Sequence, residues 1–230
     1  MKLGANQPYF LPYIGFFQLI KAVDKYVIGD NIQYIKKGWI NRNYLLLNGK
    51  SYMFHLKLLG ASPNKMINEI TVADDQCYLL KTIEINYRRA PFFSTIFPLI
   101  ENILCYEDKN LASYVGNSII QIANYLQLNT KFIYLSDLTG LDTSLKAQNR
   151  VLNLCSIMGA THYINAIGGM ELYSKERFAE CNIKLSFLKT QPVEYKQFNN
   201  PFVSWLSILD VLMFNSVDET NELLKQYELV

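Results

Sequence analysis

Histidine is nearly absent from this chain. His55 and His162 are the only two in 230 residues, and they stand far apart. That rarity argues against a histidine-rich metal centre and against a serine–histidine or cysteine–histidine nucleophile. Cysteine is scarce as well. Cys77, Cys105, Cys155 and Cys181 show no paired spacing, so they are read as buried, reduced thiols of a cytoplasmic protein rather than a disulfide framework or zinc site. No serine sits in a nucleophile-elbow motif, and no metal cofactor is expected. Charged residues make up only 18% of the chain and the net charge is +2. Apart from short pairs such as Lys36-Lys37 and Arg88-Arg89, read as solvated surface, there is no basic stripe to hold nucleic acid. No apolar run approaches the roughly 20 residues of a membrane span. Lys2 is not followed by the apolar core of a signal peptide, so neither a span nor a leader is expected.

What is present is a core. Half the residues are hydrophobic, which argues against disorder. A chain of this length should bury about 70–75% of its unfolded surface without staples. There is no internal repeat and no low-complexity linker, so a single domain over residues 1–230 is expected. Apolar patterning predicts strands at Lys2–Asn6, 26–29, 132–135, 163–166 and 184–188. Helices are predicted over 12–21, 74–87, 91–104, 111–127, 144–158, 174–181, 204–214 and 218–226. Asn48-Gly49 between 43–47 and 51–58 predicts a β-hairpin. Strands alternating with helices imply an α/β fold. The expected architecture is a mainly parallel, Rossmann-like sheet flanked by helices, with an inserted hairpin and a helical portion over about 73–128.

Amides and aromatics crowd the first forty-odd residues. Gln7-Pro8-Tyr9-Phe10-Leu11-Pro12-Tyr13-Ile14-Gly15-Phe16-Phe17 is followed by Asp30-Asn31-Ile32-Gln33-Tyr34 and Trp39-Ile40-Asn41-Arg42-Asn43. A buried amide without partners costs roughly 1–3 kcal/mol, so a plain core would not collect this many. Mixed aromatic and amide lining suits a small-molecule pocket. In a doubly wound sheet the loops after strands one and two, and the Gly168-Gly169 pair after a later strand, converge on the carboxyl edge where ligands bind.

Each candidate residue has a functional and a structural reading. Arg42, flanked by Asn41 and Asn43, can hold a carboxylate or phosphate bidentately, with the amides sharing the anion, or can form a structural ion pair. Asp30 can serve as a general base or as a turn cap. Asp210 lies among apolar neighbours and needs a partner, which Arg42, Lys36 or a backbone amide could supply. Gln7, Gln33 and Asn41 can read sugar hydroxyls or knit loops to the backbone. Tyr9, Tyr34 and Trp39 can stack on a sugar or base, or simply pack. Gly168-Gly169 can free backbone N–H groups for phosphate or make a plain turn. Asp30 and Asp210 are therefore the catalytic candidates. Gln7, Tyr9, Gln33, Tyr34, Lys36, Trp39, Asn41, Arg42, Asn43, Gly168 and Gly169 are the substrate-binding candidates.

These motifs resemble the WbqC-like family of bacterial proteins, which is associated with O-antigen and other surface-polysaccharide gene clusters. The resemblance rests on Gln7-Pro8, Pro12, Gly15-Phe16-Phe17, Asp24, Asp30, Gln33-Tyr34, Trp39 and Asn41-Arg42-Asn43. It continues through Tyr87, Ala90-Pro91-Phe92, Tyr163, Gly168-Gly169, Leu172-Tyr173, Phe178, Tyr195, Gln197 and Leu206-Ser207-Ile208-Leu209-Asp210. It departs at Asn165-Ala166-Ile167, where the family more often shows a Ser-Gly step. The resemblance implies a transferase, of the glycine-transferase kind proposed for some members, that acylates the amine of a nucleotide-linked amino sugar. The first βαβ unit also resembles the start of the His-x-Gly-His nucleotidyl transferases and of pantothenate synthetase. Gly15 stands at their glycine, while Tyr13 and Phe16 stand at the two histidine positions. Neither aromatic supplies the cation that stabilises phosphate charge, so ATP is not the favoured cofactor. An ATP-dependent amide ligase and a non-catalytic sugar-nucleotide-binding subunit are the alternatives, and a homodimer is entertained.

Overall fold

The computed structural model describes residues 1–74 and 76–230. The chain opens with β1 (Lys2–Asn6), α1 (Ile14–Ala22) and β2 (Lys25–Ile28). A hairpin follows, β3 (Arg42–Leu47) with β4 (Lys50–His55), its turn carried by Asn48 and Gly49 at φ of 50° and 73°. Two short strands, β5 (Leu58–Leu59) and β6 (Thr71–Val72), pair with each other before the helices α2 (Cys77–Tyr87), α3 (Phe93–Leu104) and α4 (Leu111–Tyr125). Then come β7 (Lys131–Tyr134), α5 (Ala147–Met158), β8 (His162–Ala166), α6 (Lys175–Glu180) and β9 (Lys184–Thr190). The chain closes with α7 (Ile208–Phe214), α8 (Val217–Leu223) and β10 (Tyr227–Leu229). The helix expected over 74–87 begins at Cys77, and Asp75 lies outside the described residues.

The main sheet runs β10-β9-β8-β1-β2-β7, parallel except for the antiparallel edge strand β10. The sheet grows from β1 through β2 to β7 in one direction and resumes at β8 on the other side of β1. The strand order therefore reverses between β1 and β8, and that is where open α/β sheets bind ligands. Among the described residues no helix is long and apolar enough to cross a membrane.

Alternation along the strands divides the core. Leu3, Val27, Tyr163, Leu185 and Phe187 face one side, packed with Leu152, Leu154 and Cys155 of α5 and Phe178 of α6. Tyr26, Ile28, Ile164 and Leu188 face the other, where α1 begins a larger core that takes in the hairpin and α2, α3, α4 and α7. Eight of the nine α1 residues are buried, so this helix carries no polar stripe. Gln18 is its buried amide, and its Nε2 donates to the backbone oxygens of Leu223 and Gln226 at 3.1 and 3.0 Å, closing the end of α8. Three of the four cysteines contradict the expectation of burial. Only Cys155 is buried; Cys77 starts α2, Cys105 and Cys181 end α3 and α6, and helix termini lie at the surface.

Asp210 on α7 is fully buried, and neither Arg42 nor Lys36 is its partner. Tyr87 Oη donates to its Oδ1 at 2.8 Å; Tyr195 Oη and Gln197 Nε2 donate to Oδ2 at 2.7 and 2.6 Å. Tyr87 Oη also accepts from the Leu46 N–H at 2.7 Å, which ties the hairpin to α2 and α7. Tyr87→Phe leaves both the carboxylate and the Leu46 N–H short of a partner, at ~1–3 kcal/mol for each such group. A loss of about 3 kcal/mol in urea denaturation is expected, and a loss below about 0.5 kcal/mol would show that this network does not hold the elements together.

Candidate functional site

The carboxyl ends of β1 and β8 open onto a cavity of about 490 Å³. Asn6, Gln7 and Tyr9 enter it from β1, and Gly29 and Ile32 from the loop after β2. Asn165, Gly168, Gly169 and Tyr173 reach it from β8 and the 3₁₀ turn Ile167–Leu172, and Ala147 and Arg150 from the first turns of α5. Val27, Leu135, Val151 and Leu154 form an apolar wall. Two loops expected to converge here therefore do so. From the loop after β2, however, Gly29 and Ile32 reach the cavity, while Asp30, Gln33 and Tyr34 do not line it. Gly168-Gly169 lies inside the 3₁₀ turn.

Asn6 and Asn165 end neighbouring strands in the same way. Each Oδ1 accepts from the next backbone N–H, Gln7 N at 2.9 Å and Ala166 N at 2.9 Å. That bond fixes each amide plane and leaves each Nδ2 group as a donor at the cavity wall. Gln7 Nε2 donates to Tyr9 Oη at 3.0 Å, and its buried Oε1 has no partner among the described residues. Burial holds the phenols of Tyr9, Tyr163 and Tyr173 above their ordinary pKa, so each is a neutral O–H donor at neutral pH. Gly169 has no room for a side chain, because a Cβ there would collide with Asn165 Nδ2. Arg150 is the charged residue of the lining. Its Nη2 reaches Asn31 Oδ1 at 3.5 Å, and no carboxylate pairs with it among the described residues.

A second cavity, of about 300 Å³, lies against the first and shares Tyr9 with it. Pro12, Tyr13, Trp39, Asn43, Tyr44 and Trp205 complete its walls. The Tyr9–Tyr13 loop is pinned from a distance. Asn43 Nδ2 and Ser207 Oγ both donate to the Leu11 carbonyl at 2.7 Å, and Phe10 N bonds Ile40 O at 2.9 Å. These bonds hold Leu11 at φ 44°, a costly left-handed conformation for leucine. Gly15 gives the Tyr13 ring its place, since a Cβ there would overlap that ring. Phe16, at the other position compared with a histidine, is a core residue packed on Tyr9 and Tyr26.

The other candidates lie outside both cavities. Arg42 donates through Nε to Gly38 O at 2.9 Å and through Nη2 to Lys37 O, with its guanidinium over the Trp39 ring. Tyr34 Oη donates to Asn41 Oδ1, and Asn41 Nδ2 to Leu56 O. Gln33 donates to Pro63 O at 2.6 Å, and Lys36 is exposed. Asp30 is buried at the end of β2, where its Oδ1 accepts from Ser136 N at 2.9 Å. Arg150, Asn165, Tyr163, Tyr173, Tyr13, Tyr44 and Trp205 were not singled out from sequence as binding residues. An arginine in the first turns of a helix that follows a strand was the available signal for Arg150. Among the described residues, no group of three histidine, cysteine, aspartate or glutamate side chains is placed to hold a metal ion.

The chain matches the model of the WbqC-like protein family over residues 7–222, and it belongs to that family. It is similar to the uncharacterized protein Rv1507c of Mycobacterium tuberculosis, at 26% identity over 229 residues covering 97% of each chain. No solved structure gives a significant match.

Two outcomes follow from this geometry. Burial raises the pKa of Asp210 above its ordinary value, against the opposing pull of Tyr195, Tyr87 and Gln197. A raised carboxyl favours the protonated native state, so this stabilisation is complete below about pH 4 and is lost as pH rises through the native pKa. Urea titrations from pH 4.5 to 7.5 should show that slope in the wild type and not in Asp210→Asn; parallel curves would contradict it. Gly169→Ala should displace the Asn165 amide and shift the Ala166 N–H resonance, while Gly168→Ala, with open space around it, should leave that resonance in place.

Proposed function

We propose that this protein is a cytoplasmic transferase that attaches an amino acid of the glycine kind, or another acyl group, to the amine of a nucleotide-linked amino sugar used for surface polysaccharide. The observation that carries this reading is Arg150, an arginine without a carboxylate partner that lines the cavity at the switch point. A guanidinium there, beside the N-terminus of the twelve-residue α5, suits a diphosphate. The apolar wall of Val27, Leu135, Val151 and Leu154 suits a nucleobase.

The lining holds no aspartate, glutamate, histidine, lysine, cysteine or serine. The chemistry proposed is therefore aminolysis governed by positioning. The neutral sugar amine attacks the carbonyl of an activated acyl donor, and a C–N bond forms. The bond to the leaving group breaks, and the leaving group departs with its electron pair and takes the amine proton. Asn6 and Asn165 Nδ2 are suited to donate to the carbonyl oxygen as its charge develops. Gln7, Tyr9, Gly168 and Gly169 contact substrate in this reading. Asp30 and Asp210 hold loops and helices in place, Asp30 through Ser136 and Asp210 through its three donors.

A lining without a titratable base also favours a second reading, a sugar-nucleotide-binding subunit without turnover. Calorimetry with UDP- and dTDP-amino sugars tests both, together with mass analysis after adding activated glycine. Binding with a mass gain on the sugar supports the transferase; binding without one supports the subunit; neither binding nor product sinks both. Arg150→Ala should weaken nucleotide-sugar binding roughly 10- to 100-fold, the worth of a charged hydrogen-bonded pair.

A further inference from the structure

We infer that the cavity beyond Tyr9 is a subsite for the uncharged pyranose ring of a saccharide, walled by Trp39 and Trp205. The inference extends the proposed function, with the diphosphate beside Arg150 and the sugar on the far side of Tyr9. It rests on that reading for the order of the two cavities, while the chemistry of the second cavity is argued independently.

Trp39 and Trp205 are the only tryptophans in the chain, and both line this one cavity, 44% and 72% exposed. Large aromatic faces left in solvent at a concave site are suited to stacking on the aliphatic face of a sugar. Backbone strain collects here as well. Leu11 sits at φ 44° beside Pro12, and Trp205 itself at φ 62°, a conformation a bulky residue holds only when its surroundings impose it. The Tyr13 ring lies 6.1 Å from Trp205 and the Tyr44 ring 5.9 Å from Trp39, so each indole is buttressed by a phenol.

The polar groups select among occupants. No charged side chain lines the cavity. The Arg42 guanidinium lies over Trp39 at 5.5 Å from the ring centroid. That places positive charge against the wall and disfavours a cationic guest of the kind aromatic cages hold. Asn43 is already committed, donating to Leu11 O and accepting from Tyr44 N. The phenols of Tyr13 and Tyr44 have no hydrogen-bond partner among the described residues. Tyr9 Oη accepts from Gln7, so its own proton is free to donate. Two flat walls with phenol hydroxyls match a ring with apolar faces and a polar equator, and an acyl chain would leave those hydroxyls unused.

Both tryptophans line this cavity, and Trp205 also lines a neighbouring one of about 400 Å³ that Trp39 does not line, so it is Trp39 emission that marks occupancy here. Titration with a UDP-linked amino sugar should change the emission, and titration with UDP alone should not. Trp205→Ala, at an exposed position that leaves the core intact, should weaken binding of the UDP-sugar roughly tenfold and leave the affinity for UDP unchanged. Arg150→Ala should weaken both. Methyl glycosides of N-acetylhexosamines at millimolar concentration should change the emission of the wild type, and calorimetry should show their binding lost in the Trp39→Ala/Trp205→Ala double variant. Emission that responds to glycosides while UDP-sugars fail to bind would support the subsite and remove the proposed function. Emission silent to every saccharide, or a response to tetramethylammonium in its place, would overturn the subsite.

Discussion

A carboxylate buried without a cation organises the larger core. Asp210 receives its three hydrogen bonds from phenols and an amide, so its charge is delocalised into neutral dipoles rather than cancelled. Burying such a group costs several kcal/mol unless its lone pairs are filled. The three donors come from α2 and from the segment after β9, where Gln197 itself both donates to Val203 O and accepts from Val203 N. Burial raises the Tyr195 and Tyr87 phenols far above their ordinary range, which keeps both as O–H donors. The arrangement fixes α7 relative to the hairpin. From α7 the chain then supplies Ser207, whose hydroxyl reaches Leu11 O.

That chain of fixed points explains how a loop with a left-handed leucine persists at the head of the molecule. Residues 9–13 are short of regular structure, but the hairpin through Ile40 and Asn43 and α7 through Ser207 clamp them on both sides. The clamp makes Tyr9 a fixed partition between the two cavities. Rigid support of this kind is what a binding constellation needs, because small displacements of a contacting group are costly in affinity and rate.

Much of the fold was legible because its signals are local. The strand at Lys2–Asn6 was read with its observed bounds. The Asn48-Gly49 turn specified the hairpin. The edge strand β10 went unread, since three residues cannot display an alternation; β5 and β6 are shorter still. The candidate site was legible in its strand-end loops, where Gln7, Tyr9, Gly168 and Gly169 reach one cavity. It was opaque wherever a side chain's use depends on a distant backbone group. Arg42 reads as an anion clamp in sequence, yet in the fold its guanidinium is spent on the carbonyls of Lys37 and Gly38. Asn165 stands out in sequence only as part of a departure from the family pattern, and it becomes the counterpart of Asn6 only when β8 settles beside β1.

The strand order also bears on how the molecule is made. β1 lies at the middle of the sheet and precedes its neighbours in the chain, and β2 can pair with it almost at once. Its other edge waits for β8, most of a chain length later, and Gln18 waits longer still for the α8 carbonyls it closes. Until those segments arrive, the nascent chain carries an open strand edge and an apolar helix without its cover, the condition in which multistep folders aggregate. Long-range pairing of this kind slows folding, so β8 and the end of α8 complete a core begun by β1 and α1.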